Sequence, residues 1–162
     1  MRTLIGLTAI ACFTLSPVAA QAATATANFT AQITIDGECL VTTTNALDFG
    51  NAGVLVDNID ETTTFQVQCT NTVPYAVGLS AGNGSGATTT IRKMTAGGST
   101  IDYRMFSDPA RTVNWGDSFG ADTINGIGNG APQTVTIYGR IVPQTTPVAA
   151  TYTDVVQITI DY

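Results

Sequence analysis

The chain has 162 residues, with 12 Asp or Glu, six Lys or Arg and no His, for a net charge of −6. So acidic a chain lacks the basic footprint that nucleic acid or an anionic lipid surface requires. Without an imidazole, neither a Ser–His–Asp nor a Cys–His arrangement can be assembled, and no enzymatic activity is expected.

Met1-Arg2 is a short basic start, residues 3–15 are uncharged and mostly apolar, and Ala20-Gln21-Ala22 offers small residues where a signal peptidase reads. Residues 1–22 therefore read as a secretory signal, with cleavage after Ala20 or Ala23 as alternatives. Cleavage after Ala22 leaves five basic residues against twelve acidic ones, a balance of −7. About 140 residues remain, the size of one domain. No later apolar run is long enough to span a bilayer, so no stable membrane anchor is expected. Cys12 falls within the signal and has Ala9, not Leu, three residues before it, which argues against a lipoprotein anchor. Cys39 and Cys69 are then an even pair in an oxidising compartment and are expected to be bonded to each other.

Directly behind the signal, Ala23, Ala25, Ala27, Phe29, Ala31, Ile33 and Ile35 alternate with polar residues. This is the period of a half-buried strand, placed where a new N-terminus is usually loose. Periodicity alone fits an ordinary first strand as well as a strand offered to another molecule. At thirteen residues the run exceeds a typical strand, and its second half, residues 31–35, could serve as the domain's own first strand.

The rest reads all-β, with Thr, Gly, Asn and β-branched residues dominant. Asp36-Gly37 marks a turn, and Leu47 and Phe49 alternate before Gly50. Phe65, Val67 and Cys69 share one face of a strand. After Pro74, Tyr75, Val77 and Leu79 form the next. A Gly/Ser/Asn loop follows over residues 81–87, then strands over 88–94 and 101–106 around the turn at Gly97-Gly98. Residues 116–132 read as a long loop. Val135, Ile137 and Ile141 lie in a further strand. The last runs from about residue 152 to the end, with Val156, Ile158, Ile160 and Tyr162 on one face. Strands at this spacing indicate a Greek-key sandwich. A sandwich that begins with a spare strand and closes inside another is suited to strand addition between molecules.

Several pieces resemble one family. They are Cys39 followed by Leu47-Asp48-Phe49-Gly50; Phe65-Gln66-Val67-Gln68-Cys69-Thr70; Ile101-Asp102-Tyr103-Arg104-Met105-Phe106-Ser107-Asp108, continuing to Trp115-Gly116-Asp117; Val135-Thr136-Ile137-Tyr138-Gly139-Arg140-Ile141; then Pro147 and Thr151-Tyr152-Thr153-Asp154. In this order they resemble the spore coat protein U-like family, which includes pilin subunits of archaic chaperone–usher pili. The family usually has Gly where Ala150 stands and often Tyr at Phe106. The resemblance implies an incomplete immunoglobulin-like Greek-key sandwich lacking its last strand. A periplasmic chaperone lends a strand, and at the outer-membrane usher the next subunit's N-terminal extension replaces it, giving a homopolymer. On this sequence the donor would be residues 23–31, with Ala25, Ala27, Phe29 and Ala31 filling a groove, and the domain residues 32–162. Val156, Ile158, Ile160 and Tyr162 would line part of the acceptor groove. The implied role is a shaft subunit at the cell surface, serving adhesion and biofilm formation.

Other signals are weaker. Asp57, Asp60 and Glu61 could pair as glycosidase carboxylates but read as a solvated loop. Asp117, Asp122, Asn125 and Asn129 fit no EF-hand spacing, so no metal is expected. Gly126-Ile127-Gly128-Asn129-Gly130 lacks the following helix that a dinucleotide turn needs, so no cofactor is expected. Trp115, with Tyr103 and Phe106, could stack on sugar, although a lone Trp in a sandwich more often packs in the core. Arg104, Arg111 and Arg140 read as surface partners of acids. Asn83-Gly84-Ser85 matches an N-glycosylation acceptor. The alternative readings are a secreted or surface coat protein and a carbohydrate-binding sandwich acting through the Trp115 loop.

Overall fold

A computed structural model describes residues 21–162. The secretory signal expected over residues 1–22, apart from its last two residues, lies outside the described residues. The chain divides into two units, residues 1–34 and 35–162.

In the first unit, residues 21–34 form no strand and all are exposed, Phe29 at 91%. The alternating run is therefore not a strand of this chain's own sandwich. Residues 31–35 do not supply the domain's first strand either, because they hold no ladder partner. That strand is Cys39–Thr44.

The second unit contains eight strands: β1 Cys39–Thr44, β2 Ile59–Cys69, β3 Pro74–Leu79, β4 Arg92–Ala96, β5 Ser99–Phe106, β6 Ile124–Ile127, β7 Gln133–Ile141 and β8 Ile158–Asp161. All pairings are antiparallel, in sheets of order β1-β2-β7-β5-β4 and β6-β3-β8. No helix among the described residues is long and apolar enough to cross a membrane.

Side-chain period explains the layers. Thr63, Phe65, Val67 and Cys69 of β2 and Tyr75, Val77 and Leu79 of β3 are buried, alternating with more exposed neighbours in β2. Each strand thus presents one face inward. Trp115, between β5 and β6, is fully buried, and its ring centroid lies 6.0 Å from that of Phe65. Its indole N–H donates to Val77 O at 2.8 Å. That bond satisfies the one polar atom of a large apolar ring.

Cys39 and Cys69 face each other across β1 and β2 and are disulfide-bonded. Their separation of 30 residues corresponds to a stabilisation of about 3–4 kcal/mol in the chain-entropy model. Replacing both cysteines by Ala is expected to lower the denaturation midpoint accordingly in urea titration, and an unchanged midpoint would count against that contribution.

Four readings are corrected. Residues 88–91 form a turn closed by Thr88 N to Ile91 O, so the strand begins only at Arg92. The supposed loop over 116–132 contains β6. Asp60 and Glu61 lie on β2, not in a loop. The last strand is confined to β8, because Gln157 N turns to Ser80 Oγ at 2.9 Å. Among the arginines, Arg140 clamps Asp60 with two bonds of 2.6 and 2.7 Å, and Arg111 lies 3.5 Å from the same carboxylate. Hydrogen bonding from Arg140 holds the Asp60 carboxyl below its ordinary value, with Arg111 adding to the effect. Arg104 makes no ion pair among the described residues.

Candidate functional site

β8 pairs with β3 alone, so its other edge carries no ladder partner among the described residues. Beside it runs an open groove of about 580 Å³, walled by residues 44–49 on one side and by residues 151–156 with Ile158 on the other. Leu79, Met94, Tyr103, Met105 and Ile137 form its floor. A second cleft of about 430 Å³ shares Leu47, Phe49, Met94 and Tyr152 with the first and adds Leu55, Ile59, Ile101 and Ile141. The larger of the two is an apolar trough, whereas the lining of the second is about half polar.

Local chemistry places each wall. Beyond β1, Asn45 donates to Thr64 O from its backbone N at 3.3 Å and from its side chain at 3.0 Å, which ties the start of this wall to β2. Asp48 Oδ1 accepts from Gly50 N at 2.9 Å, and Gly50 takes a positive φ of 71° that suits glycine. Leu47 and Phe49 then lie on the backbone of β7. A Cβ built on Gly139 would stand 2.6 Å from Leu47 Cδ2 and 2.9 Å from Phe49 Cζ. The Leu-Asp-Phe-Gly and Tyr-Gly-Arg pieces therefore meet in space. Phe49 also makes an edge contact with Tyr103, with centroids 6.0 Å apart.

The opposite wall is anchored through Asp154. Its carboxylate accepts from Tyr103 Oη at 2.8 Å, from Asn83 N at 2.7 Å and from Val155 N at 2.8 Å. Burial pushes the Tyr103 phenol far above its ordinary value, and the bond to Asp154 acts in the same direction. Thr153 and Thr95 exchange backbone bonds, joining this wall to β4. Ala150 is not among the residues with positive φ, so the turn there has no need of glycine.

Beneath the wall lies a residue that sequence reasoning missed. Arg92 is fully buried. Its guanidinium donates to the carbonyls of Ser80, Thr89, Leu79 and Trp115, each at 2.8 Å. Burial draws its pKa down, opposed by Tyr103, Asp117, Asp154 and Asp122. In sequence it looks like one of two surface cations, Arg92-Lys93, and only the three-dimensional convergence of carbonyls reveals it.

Of the four groove residues expected from sequence, Val156 and Ile158 stand in the wall, and Ile160 is half-buried against the core. Tyr162 is 61% exposed and lies outside the lining. Sequence reasoning had found Leu47, Phe49 and Tyr103 as motif residues without placing them here. Trp115 has no exposed surface, which removes the sugar-stacking platform of the carbohydrate-binding reading. Asp122 and Asn129 serve local turns, accepting from Ser118 N at 2.8 Å and Ala131 N at 2.9 Å. A free strand edge over an apolar trough has one evident capacity. It can pair with an extended backbone while alternate apolar side chains enter the trough.

A profile of the Spore Coat Protein U domain matches residues 25–159. The chain belongs to the Spore Coat Protein U domain family. Protein U of Myxococcus xanthus is 30% identical over 158 residues, covering 88% of each chain. Among solved structures, the chain is similar to one from the chaperone–tip adhesion subunit pre-assembly complex of the archaic chaperone–usher Csu pili of Acinetobacter baumannii. The TM-score is 0.58 at 21% identity, over 80% of this chain and 40% of that one. The shared fold is an immunoglobulin-like sandwich.

Proposed function

We propose that this member of the Spore Coat Protein U domain family is an exported structural subunit of an archaic chaperone–usher pilus, polymerising by donor-strand complementation. The observation that carries the reading is the unpaired edge of β8 beside an apolar trough. The guest is the N-terminal segment of another copy, residues 23–31, entering with Ala25, Ala27, Phe29 and Ala31. All four are exposed, and the same alternation continues to Ile33 and Ile35. Val156, Ile158, Ile160 and Tyr162 belong to the receiving strand and its flanks. Before assembly a periplasmic chaperone occupies the trough, and an outer-membrane usher exchanges it for the next subunit. The fibre reaches the cell surface and serves adhesion and biofilm formation. The likeness to a chain from a chaperone–subunit complex supports this.

A second reading, a secreted coat protein that meets no usher, is favoured by the relative named Protein U. Co-expression with a chaperone and deletion of residues 23–31 separates the two. The shaft reading expects the deletion to leave the chaperone complex and remove polymers that survive detergent without heating. Polymers persisting after the deletion, or the absence of any chaperone complex, would overturn it.

A further inference from the structure

The sequence holds three Asn-Gly pairs: Asn83-Gly84, Asn125-Gly126 and Asn129-Gly130. Glycine lacks the Cβ that hinders a backbone nitrogen from approaching the preceding side chain. Reactivity at such a pair then depends on whether that nitrogen is held elsewhere. The fold separates the three sites. Asn125 and Gly126 lie in β6, paired with Ala76 and Tyr75 of β3. Gly130 N donates to Cys69 O at 3.1 Å, while Asn129 Oδ1 accepts from Ala131 N. Asn83 is instead exposed between β3 and β4. The Gly84 nitrogen donates to no acceptor among the described residues.

We infer that Asn83 is a site of spontaneous deamidation in the folded protein. Gly84 N attacks Asn83 Cγ and a C–N bond closes a succinimide ring. Ammonia leaves with the side-chain nitrogen and the proton from Gly84 N. Water then opens the ring at either carbonyl, giving aspartate or isoaspartate, with no change in oxidation state. The new carboxylate is carried by the residue whose backbone N donates to Asp154 at 2.7 Å, and Asp154 also holds the Tyr103 hydroxyl in the groove floor. A negative charge on this residue opposes that of Asp154, so the modification loosens the anchor of the groove wall. The site stands on its own geometry; only an effect on strand uptake rests on the pilus reading.

Gly84 is unsuited to substitution, because a Cβ there would collide with the Lys93 backbone, so the variants are made at 83. The full chain is incubated at mildly alkaline pH in oxygen-18 water, and the label at each Asn-Gly pair is followed by peptide mass spectrometry. Acid at position 83 is expected about tenfold faster than at 125 or 129, since their pairing must open before they react. In denaturant the three rates are expected to converge within about twofold. Equal native rates, a slower rate at 83, or a difference that persists in denaturant would each overturn the inference. Asn83→Asp is also expected to unfold at a lower temperature than Asn83→Gln, and equal midpoints would overturn the effect on Asp154.

Discussion

Phe29→Asp is expected to abolish polymerisation while leaving the subunit–chaperone complex intact. In the proposed assembly the donor face is mostly alanine, so Phe29 would provide most of its side-chain burial, roughly 2–3 kcal/mol. Each backbone bond along the edge of β8 adds about 0.5–1.5 kcal/mol net. A few such bonds must offset the ordering of an extended peptide, and the margin is carried by the ring. Aspartate removes that burial and also brings a carboxylate into an apolar trough, where an unpaired charge is strongly disfavoured. Phe29→Ala, which removes only the burial, is expected to weaken polymers without eliminating them. In the proposed assembly the chaperone inserts its own strand, so neither change should touch its complex. Size-exclusion chromatography of both variants reads the outcome, and polymers of unchanged size with Phe29→Asp would show that the ring does not enter the trough.

Arg92→Met is expected to leave the chain largely unfolded. Methionine fills much of the volume but supplies no donor, so four carbonyls that each receive a 2.8 Å bond lose it together. An orphaned buried acceptor costs about 1–3 kcal/mol. The bonds to Leu79 O and Trp115 O are fully buried and those to Ser80 O and Thr89 O partly so, and the combined loss is a large share of the total stability of an ordinary domain, about 5–15 kcal/mol. The desolvation of the cation itself is relieved, which moderates the loss without reversing it. Arg92→Lys should also fail, since a single ammonium has three donors and no planar fork to span carbonyls from Leu79, Thr89 and Trp115. Thermal unfolding of the purified chain checks this, and a midpoint within a degree of the parent would refute it.

The strands that were legible in the sequence are those buried on one face. Phe65, Val67 and Cys69, then Tyr75, Val77 and Leu79, show the period directly because each odd position meets the core. β1 was not legible: only Cys39 in it is buried, and its place is set by pairing with β2. β6 was hidden by its glycine, since Gly126 is held to a strand by close packing on Tyr75 and not by its own preference. The groove was half legible. Val156 and Ile158 declare themselves by alternation, whereas Leu47 and Phe49 reach it only because Gly139 of β7 leaves room for them. Apart from Thr89 and Val155, the partners of the polar anchors Arg92 and Asp154 lie 12 to 71 positions away, beyond any local pattern.

The bond between Cys39 and Cys69 sits at the first residue of β1, just past the point where the leading segment departs. Glu38 N and Asp36 O are fastened to the Thr70 hydroxyl beside it. A pull applied to that segment reaches this covalent rivet before it can peel β1 from its neighbour. Tension passes instead into β2, which is hydrogen-bonded on both sides. A fibre linked through such segments would stretch at its junctions first, with the body of each unit shielded from unzipping.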